Sequence, residues 1–187
     1  MNNINFNSFK FTNRKDTIIG VSDDELFLIK ISTNTNSKKN LTIEGEYKLL
    51  KSLNEKGCQS CPKVYSFGTI SKENISSLID DKKTLQEIPG TEFQYILQEY
   101  VPDDKRYNLA DIVFSLLEQK SLGVYHGDIK PANIRFSSKK GICCFIDYDQ
   151  AFELNDEQSS LSNEKFFKFC SQYDKDKYGI GNWLRHF

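Results

Sequence analysis

One stretch limits what this chain can fold into more than any other. It is Tyr125-His126-Gly127-Asp128-Ile129-Lys130-Pro131-Ala132-Asn133-Ile134, followed shortly by Cys144-Phe145-Ile146-Asp147-Tyr148-Asp149. Gly127 and Pro131 break regular structure, and Pro131 biases Lys130 away from the helical region, so the first part reads as a loop. The apolar run from Gly141 to Ile146 reads as a buried strand that delivers Asp147 at its end. Any fold that accommodates both must set a polar loop carrying Asp128, Lys130 and Asn133 near a strand end carrying a second carboxylate.

Those groups suit phosphoryl transfer, which asks for positioning and charge neutralisation rather than covalent help. One carboxylate can orient a hydroxyl and accept its proton. A second carboxylate and an amide oxygen can hold magnesium, because hard cations take oxygen ligands. A lysine beside the transferred group offsets its charge. The loop His126-Gly127-Asp128-Ile129-Lys130-Pro131-Ala132-Asn133-Ile134 resembles the catalytic loop of protein kinases, and Ile146-Asp147-Tyr148-Asp149 resembles a variant of their metal-binding motif. The resemblance implies Asp128 as catalytic base, Lys130 at the transferred phosphate, and Asn133 and Asp147 as metal ligands, with ATP and Mg2+ as cofactors.

Upstream, Phe9 and Phe11 alternate with polar residues, as in an edge strand. Thr17 to Val21 and Leu26 to Ile31 read as a hairpin across Ser22-Asp23-Asp24-Glu25. Lys30 lies inside the second of these strands. Thr42 to Leu53 has helical spacing, with Ile43, Tyr47, Leu50 and Leu53 on one face. In the kinase family a strand lysine holds nucleotide phosphates and pairs with a glutamate on the next helix. By that resemblance Lys30 pairs with Glu46, or failing that with Glu44. Phe93 to Val101 is a further strand, and Gln98-Glu99-Tyr100-Val101-Pro102 resembles the kinase hinge. The resemblance gives the Glu99 carbonyl and Val101 amide to adenine, Gln98 to the back of the pocket, and one acid of Asp103-Asp104-Lys105-Arg106 to the ribose. Asn108 is a cap for a helix from Leu109 to about Ser121 with a stripe of Leu109, Ile112, Val113, Leu116 and Leu117, and Gly123 ends it. Ile134 to Phe136 and Gly141 to Ile146 read as a hairpin. Residues 71–90 read as polar with a short helical pattern, 155–163 as a polar loop, and Glu164 to about Asp174 as a helix.

The fold expected is α+β: a bilobal, protein kinase-like single domain over residues 1–187. Residues 1–101 would form a small antiparallel sheet with one helix, and residues 102–187 a reduced helical lobe. The sequence departs from the protein kinase pattern in several places. No glycine-rich phosphate loop precedes Lys30; Gly20 stands alone, and the turn Asn13-Arg14-Lys15-Asp16 occupies that place. Gly127 stands where many protein kinases carry an arginine that reads a phosphorylated activation loop, which implies a site formed without such phosphorylation. No long activation segment follows Asp147. Small kinases of lipopolysaccharide-core sugars share these features, whereas Lys130-Pro131 pulls towards serine/threonine kinases. The function expected is therefore an ATP- and Mg2+-dependent phosphotransferase acting on a protein serine or threonine. The alternatives are a sugar or glycan hydroxyl as acceptor, or a pseudokinase or effector that uses the fold as a binding module. A metal-dependent hydrolase would leave Lys130 and the Lys30–Glu46 pair without a task.

Composition narrows the setting. A net charge of -1, from 25 basic and 26 acidic residues, gives no electrostatic reason to expect nucleic acid as partner. No stretch approaches membrane-spanning length, and the start Met1-Asn2-Asn3-Ile4-Asn5-Phe6 lacks the apolar core of a signal peptide. The five cysteines read as reduced thiols of a cytoplasmic protein. Cys58-Gln59-Ser60-Cys61 invites a zinc or redox reading. A structural zinc needs about four ligands, and only Cys143, Cys144 and Cys170 remain, so this turn reads as packing.

Overall fold

A computed structural model describes residues 4–12, 16–33, 41–102 and 107–173. The chain divides into two compact units. Met1–Lys51 and Lys63–Tyr100 form one, and Ser52–Pro62 with Val101–Phe187 form the other.

The first unit is built on a five-stranded antiparallel sheet of β1 (Phe6–Phe11), β2 (Thr17–Ser22), β3 (Phe27–Ser32), β4 (Val64–Ser71) and β5 (Glu92–Glu99), in the order β1-β2-β3-β5-β4. The expected edge strand and hairpin are present. β5 lies between β3 and β4 and buries Ile96 and Leu97 on opposite faces. Register then sorts every side chain. Ile18, Ile29, Ile31, Phe93 and Leu97 point to one face and meet Phe9 there. On the other face Ile19 pairs with Lys30 and Lys30 with Ile96, while Val21 pairs with Leu28 and Leu28 with Gln98. Directly opposed residues share a face, so Lys30 and Gln98 stand on the same side of the sheet.

The first face is covered by residues that the polar reading of 71–90 overlooked. Two short helices, α2 (Lys72–Ser76) and α3 (Lys82–Glu87), bring Ile75, Ile79 and Leu85 into the core at 3% exposure or less. Their apolar residues are diluted among charged neighbours, so the segment looks solvated in sequence while supplying the lid of the core. Gly20 belongs to this packing. A Cβ there would lie 2.4 Å from two atoms of the Phe9 ring. The lone glycine of β2 thus makes room for an aromatic side chain. The other face receives the helix α1 (Ile43–Glu55), whose Tyr47 ring lies 5.6 Å from Phe67 of β4.

In the second unit, α4 (Leu109–Ser121) starts at Asn108 with a reciprocal cap: the Asn108 side chain accepts from the Asp111 amide, and the Asp111 carboxylate accepts from the Asn108 amide. α4 packs on the two-stranded ribbon of β6 (Val124–Tyr125) with β9 (Phe152–Glu153) and on the hairpin of β7 (Ile134–Ser137) with β8 (Ile142–Phe145). Its buried face is Ile112, Ser115, Leu116 and Gln119, so two polar residues lie where an apolar stripe was expected. The loop expected over 155–163 contains a short helix, α5 (Asp156–Ser159), capped by Asn155. The last described helix, α6 (Asn163–Tyr173), sends Phe166 and Phe169 to the Tyr125 ring at 6.1 and 5.4 Å. Among the described residues no helix is long and apolar enough to cross a membrane.

Candidate active site

In the first unit, β3 presents Lys30 and α1 presents Glu46. Lys30 Nζ lies 2.9 and 2.8 Å from the two Glu46 carboxylate oxygens, and the two residues are 6% and 2% exposed. Glu46 sits in the first turn of α1, where the helix dipole favours a carboxylate. Glu44 makes no such contact; it is half-exposed and pairs with Lys48 one turn on, at 2.7 Å. A buried bidentate pair of this kind fixes the ammonium in one place. Glu99 closes β5, with its amide donating to the Lys63 carbonyl at 2.7 Å. Val101, two residues on, is buried and belongs to the second unit. Arg14, Lys15 and the Asp103 to Arg106 linker lie outside the described residues.

The second unit brings Asp128, Lys130 and Asn133 together. Lys130 is extended (φ -148°, ψ 158°), as Pro131 requires, and Pro131–Asn133 forms one 3-10 turn. The turn swings Asn133 back over Asp128, so that Asn133 Nδ2 donates to the Asp128 carbonyl and to Oδ2, both at 2.9 Å. Lys130 Nζ reaches the same Oδ2 at 2.6 Å. Two donors therefore converge on one oxygen of a carboxylate that is 6% exposed, and no described residue donates to Oδ1. Because Asn133 spends its Nδ2 on Asp128, its Oδ1 is the end it can offer a cation.

Asp147 follows β8 and is tied to this loop through its neighbour. The Ile146 amide donates to the Asn133 carbonyl at 2.9 Å. Asp147 itself adopts φ 67°, ψ 71°, a left-handed conformation unfavourable for a residue with a Cβ. Such strain persists where surrounding structure imposes it, and it collects at functional sites. Gly127 (φ 75°) is the second special backbone position. A Cβ on it would lie 2.2 Å from the Gln150 carbonyl oxygen, so no side chain fits between the loop and the 3-10 turn Tyr148–Gln150. The arginine common at this place in protein kinases is thus excluded by geometry.

Sequence reasoning missed what holds these groups. His126 is fully buried, and burial pulls its imidazole down to about 4 despite the opposing effect of its bond to Ile146 and of Asp147 and Asp128 nearby. The ring is neutral at pH 7: Nε2 donates to the Ile146 carbonyl at 2.9 Å and Nδ1 accepts from the Asp128 amide at 3.3 Å. One side chain therefore bridges the backbone at Asp128 and the residue before Asp147. Tyr148 lies against His126, with ring centroids 4.5 Å apart, and its hydroxyl accepts from Gln119 Nε2. The Cys58 to Cys61 turn anchors the same region. The Ser60 carbonyl accepts from the Phe145 amide at 2.9 Å and from Gln119. The Glu118 carboxylate accepts from the amides of Gln59 and Ser60 at 2.9 and 2.8 Å. The signal that could have revealed this network was the polar pair Ser115 and Gln119 on the apolar side of a helix.

Asn133 Oδ1 and the Asp147 carboxylate are hard oxygen donors and fit a magnesium ion, which takes one or two protein oxygens and fills the rest with water and phosphate. Among the described residues no group of three or more His, Cys, Asp or Glu is disposed to hold a metal. All five cysteines, including Cys58 and Cys61, are buried thiols.

No family model matches the chain. Among solved structures it is similar to WbdD, with a TM-score of 0.50 and 14% identity over 91% of this chain and 37% of that one. A second structure of WbdD, a bifunctional kinase-methyltransferase, matches with a TM-score of 0.47 and 13% identity. The chain is also similar to an Stt7 homologue from Micromonas algae soaked with ATP, with a TM-score of 0.50 and 14% identity over 72% of this chain and 45% of that one. The chain thus spans less than half the length of the structures it matches. At such identities the likeness is one of fold: the chain has an α+β, protein kinase-like fold.

Proposed function

We propose that this chain is a phosphotransferase that moves the γ-phosphate of ATP, with magnesium, to a hydroxyl group, a serine or threonine of a protein being the leading acceptor. The observation that carries the reading is the state of Asp128, with Oδ2 held by Lys130 and Asn133 and Oδ1 left without a described donor. That is what a general base needs: one oxygen fixed to set orientation, the other open to receive a proton. Lys130 offsets charge on the transferred group, and Lys30, oriented by Glu46, holds the nucleotide phosphates. Asn133 Oδ1 and Asp147 would hold magnesium, which when bound neutralises phosphate charge. The Glu99 carbonyl and Val101 amide would take the edge of adenine. The likeness in fold to an ATP-soaked structure supports the choice of nucleotide. Buried thiols and a near-neutral charge suit a reducing, cytoplasmic setting without nucleic acid as partner.

Incubation with γ-labelled ATP and magnesium, against protein and sugar acceptors, tests this. Label transfer is expected, with a loss of roughly 10²–10⁴-fold in Asp128→Ala. Absence of transfer to every acceptor and to the chain itself would overturn it. A sugar or glycan hydroxyl, as in lipopolysaccharide-core kinases, is the second acceptor class. The steric exclusion of an arginine at Gly127 favours it, because the site then has no place for phosphate-dependent activation.

A further inference from the structure

The Cys58-Gln59-Ser60-Cys61 turn is a motif that the phosphotransferase reading leaves without a chemical task. A cysteine that only packs behaves as a small hydrophobe. The surroundings of Cys58 are polar instead. Its Sγ lies 3.5 Å from the Ser60 hydroxyl and donates to Glu118 Oε2 at 3.5 Å. The Cys61 thiol is in hydrogen-bonding contact with it, and Asn54 Nδ2 donates to Cys61 Sγ at 3.2 Å. Cys58 also keeps 6% exposure, whereas Cys61, Cys143, Cys144 and Cys170 are at 0%. The turn therefore pairs two thiols in contact and leaves one of them a narrow opening to solvent.

The two sulfurs differ in character. The hydrogen bond with Cys61 holds the Cys58 thiol below its usual value, against burial and the Glu118 charge, and Ser60 adds to the effect. The same bond, together with burial, pushes Cys61 far up. Cys143, raised to about 12 chiefly by burial, is inert by comparison. The thiolate is the nucleophile in sulfur chemistry, so attack falls to Cys58 and resolution to Cys61. We propose that Cys58 and Cys61 are a redox-active dithiol, a modification site of the second unit that hydrogen peroxide converts to an intramolecular disulfide. In the first step Cys58 sulfur attacks one peroxide oxygen and the O–O bond breaks. The second oxygen leaves as water with the thiol proton, and Cys58 becomes a sulfenic acid. In the second step Cys61 sulfur displaces the sulfenic hydroxyl, which takes the Cys61 proton and leaves as water while the S–S bond forms. The two thiols give up two electrons, and the peroxide is reduced to two waters. The disulfide closes around Gln59 and Ser60, the residues whose backbone holds Glu118 and the Phe145 amide.

The test is made on the whole chain in native buffer. It is exposed to hydrogen peroxide and quenched, its remaining thiols are alkylated in denaturant, and the peptides are mapped by mass with and without dithiothreitol. A loss of two hydrogens is expected in the peptide that carries Cys58 and Cys61, reversed by the reductant. It should appear at least about tenfold faster than oxidation of any other cysteine. Cys61→Ser should stop Cys58 at the sulfenic acid, which dimedone captures, and Cys58→Ser should form no disulfide. Melting temperatures show whether these variants fold, and the wild-type map decides the matter where they do not. A native chain that keeps all its thiols, in peroxide that oxidises the urea-unfolded chain, overturns the proposal. So does a disulfide from Cys58 to Cys144, or oxidation of Cys143 or Cys170 at the rate of Cys58. None of these readouts depends on nucleotide binding or phosphotransfer, so either reading can fail without the other.

Discussion

Glu46 is 2% exposed and both its oxygens are engaged by Lys30, so removing either partner strands a charge in a place water does not reach. Glu46→Ala is expected to cost about 3–5 kcal/mol in urea unfolding, and Lys30→Met with Glu46→Leu together much less, since a buried pair offsets its own desolvation only while intact. His126 sets a pH dependence of definite sign. Its folded value of about 4 lies below the unfolded value of about 6.5, so the unfolded chain binds the proton first. The contribution is whole above about pH 6.5 and is lost as pH falls from there to about 4, amounting to ~3 kcal/mol. The charges of Asp147, Asp128 and Lys130 also act on the ring. The measurement is therefore the difference in unfolding free energy between wild type and His126→Gln across pH 7.5 to 4.5. That difference should shrink with falling pH.

At the scale of elements, α4 and the Cys58 to Cys61 turn act as one piece. Burial pushes the Glu118 carboxyl up, but hydrogen bonds from the Ser60 side chain and from the Gln59 and Ser60 amides win and hold it below its usual value. Glu118→Ala should destabilise by about 2 kcal/mol, because it leaves two amides without acceptors; Phe114→Ala, on the exposed side of α4, should cost far less in the same assay. Elements whose cause is local were legible before any coordinates. α4 begins at Asn108 because Asn108 and Asp111 cap each other, and it ends at Gly123, whose φ of 77° suits glycine. The β2–β3 and β7–β8 hairpins follow from apolar runs around turn residues. The loop that draws Lys130 and Asn133 onto Asp128 was likewise legible, since Gly127 and Pro131 mark it in the sequence. What escaped depends on tertiary contact. The two-residue strands β6 and β9 have no period to detect, and Ile75, Ile79 and Leu85 reach the core only because α2 and α3 fold over the sheet. Gln119 and Ser115 read as interruptions of a stripe until their partners Tyr148, Ser60 and the Cys143 carbonyl are seen.

For the molecule as a whole, a nucleotide that binds only the folded chain raises its stability by mass action. Saturating ATP with magnesium should add roughly 2–4 kcal/mol and lift the melting temperature by several degrees, read by differential scanning fluorimetry. Asp147→Ala should reduce the part of that rise that depends on magnesium. A last consequence comes from the placement of sulfur. Cys58, Cys61, Cys143, Cys144 and Cys170 all fall in the second unit and all are buried, none more than 6% exposed. The first unit has no cysteine. Alkylation by iodoacetamide in native buffer should then proceed only as fast as that unit opens. Counting labelled sulfurs by mass over time would clock the opening of one half of the protein with the other half silent, and no reporter group would have to be introduced.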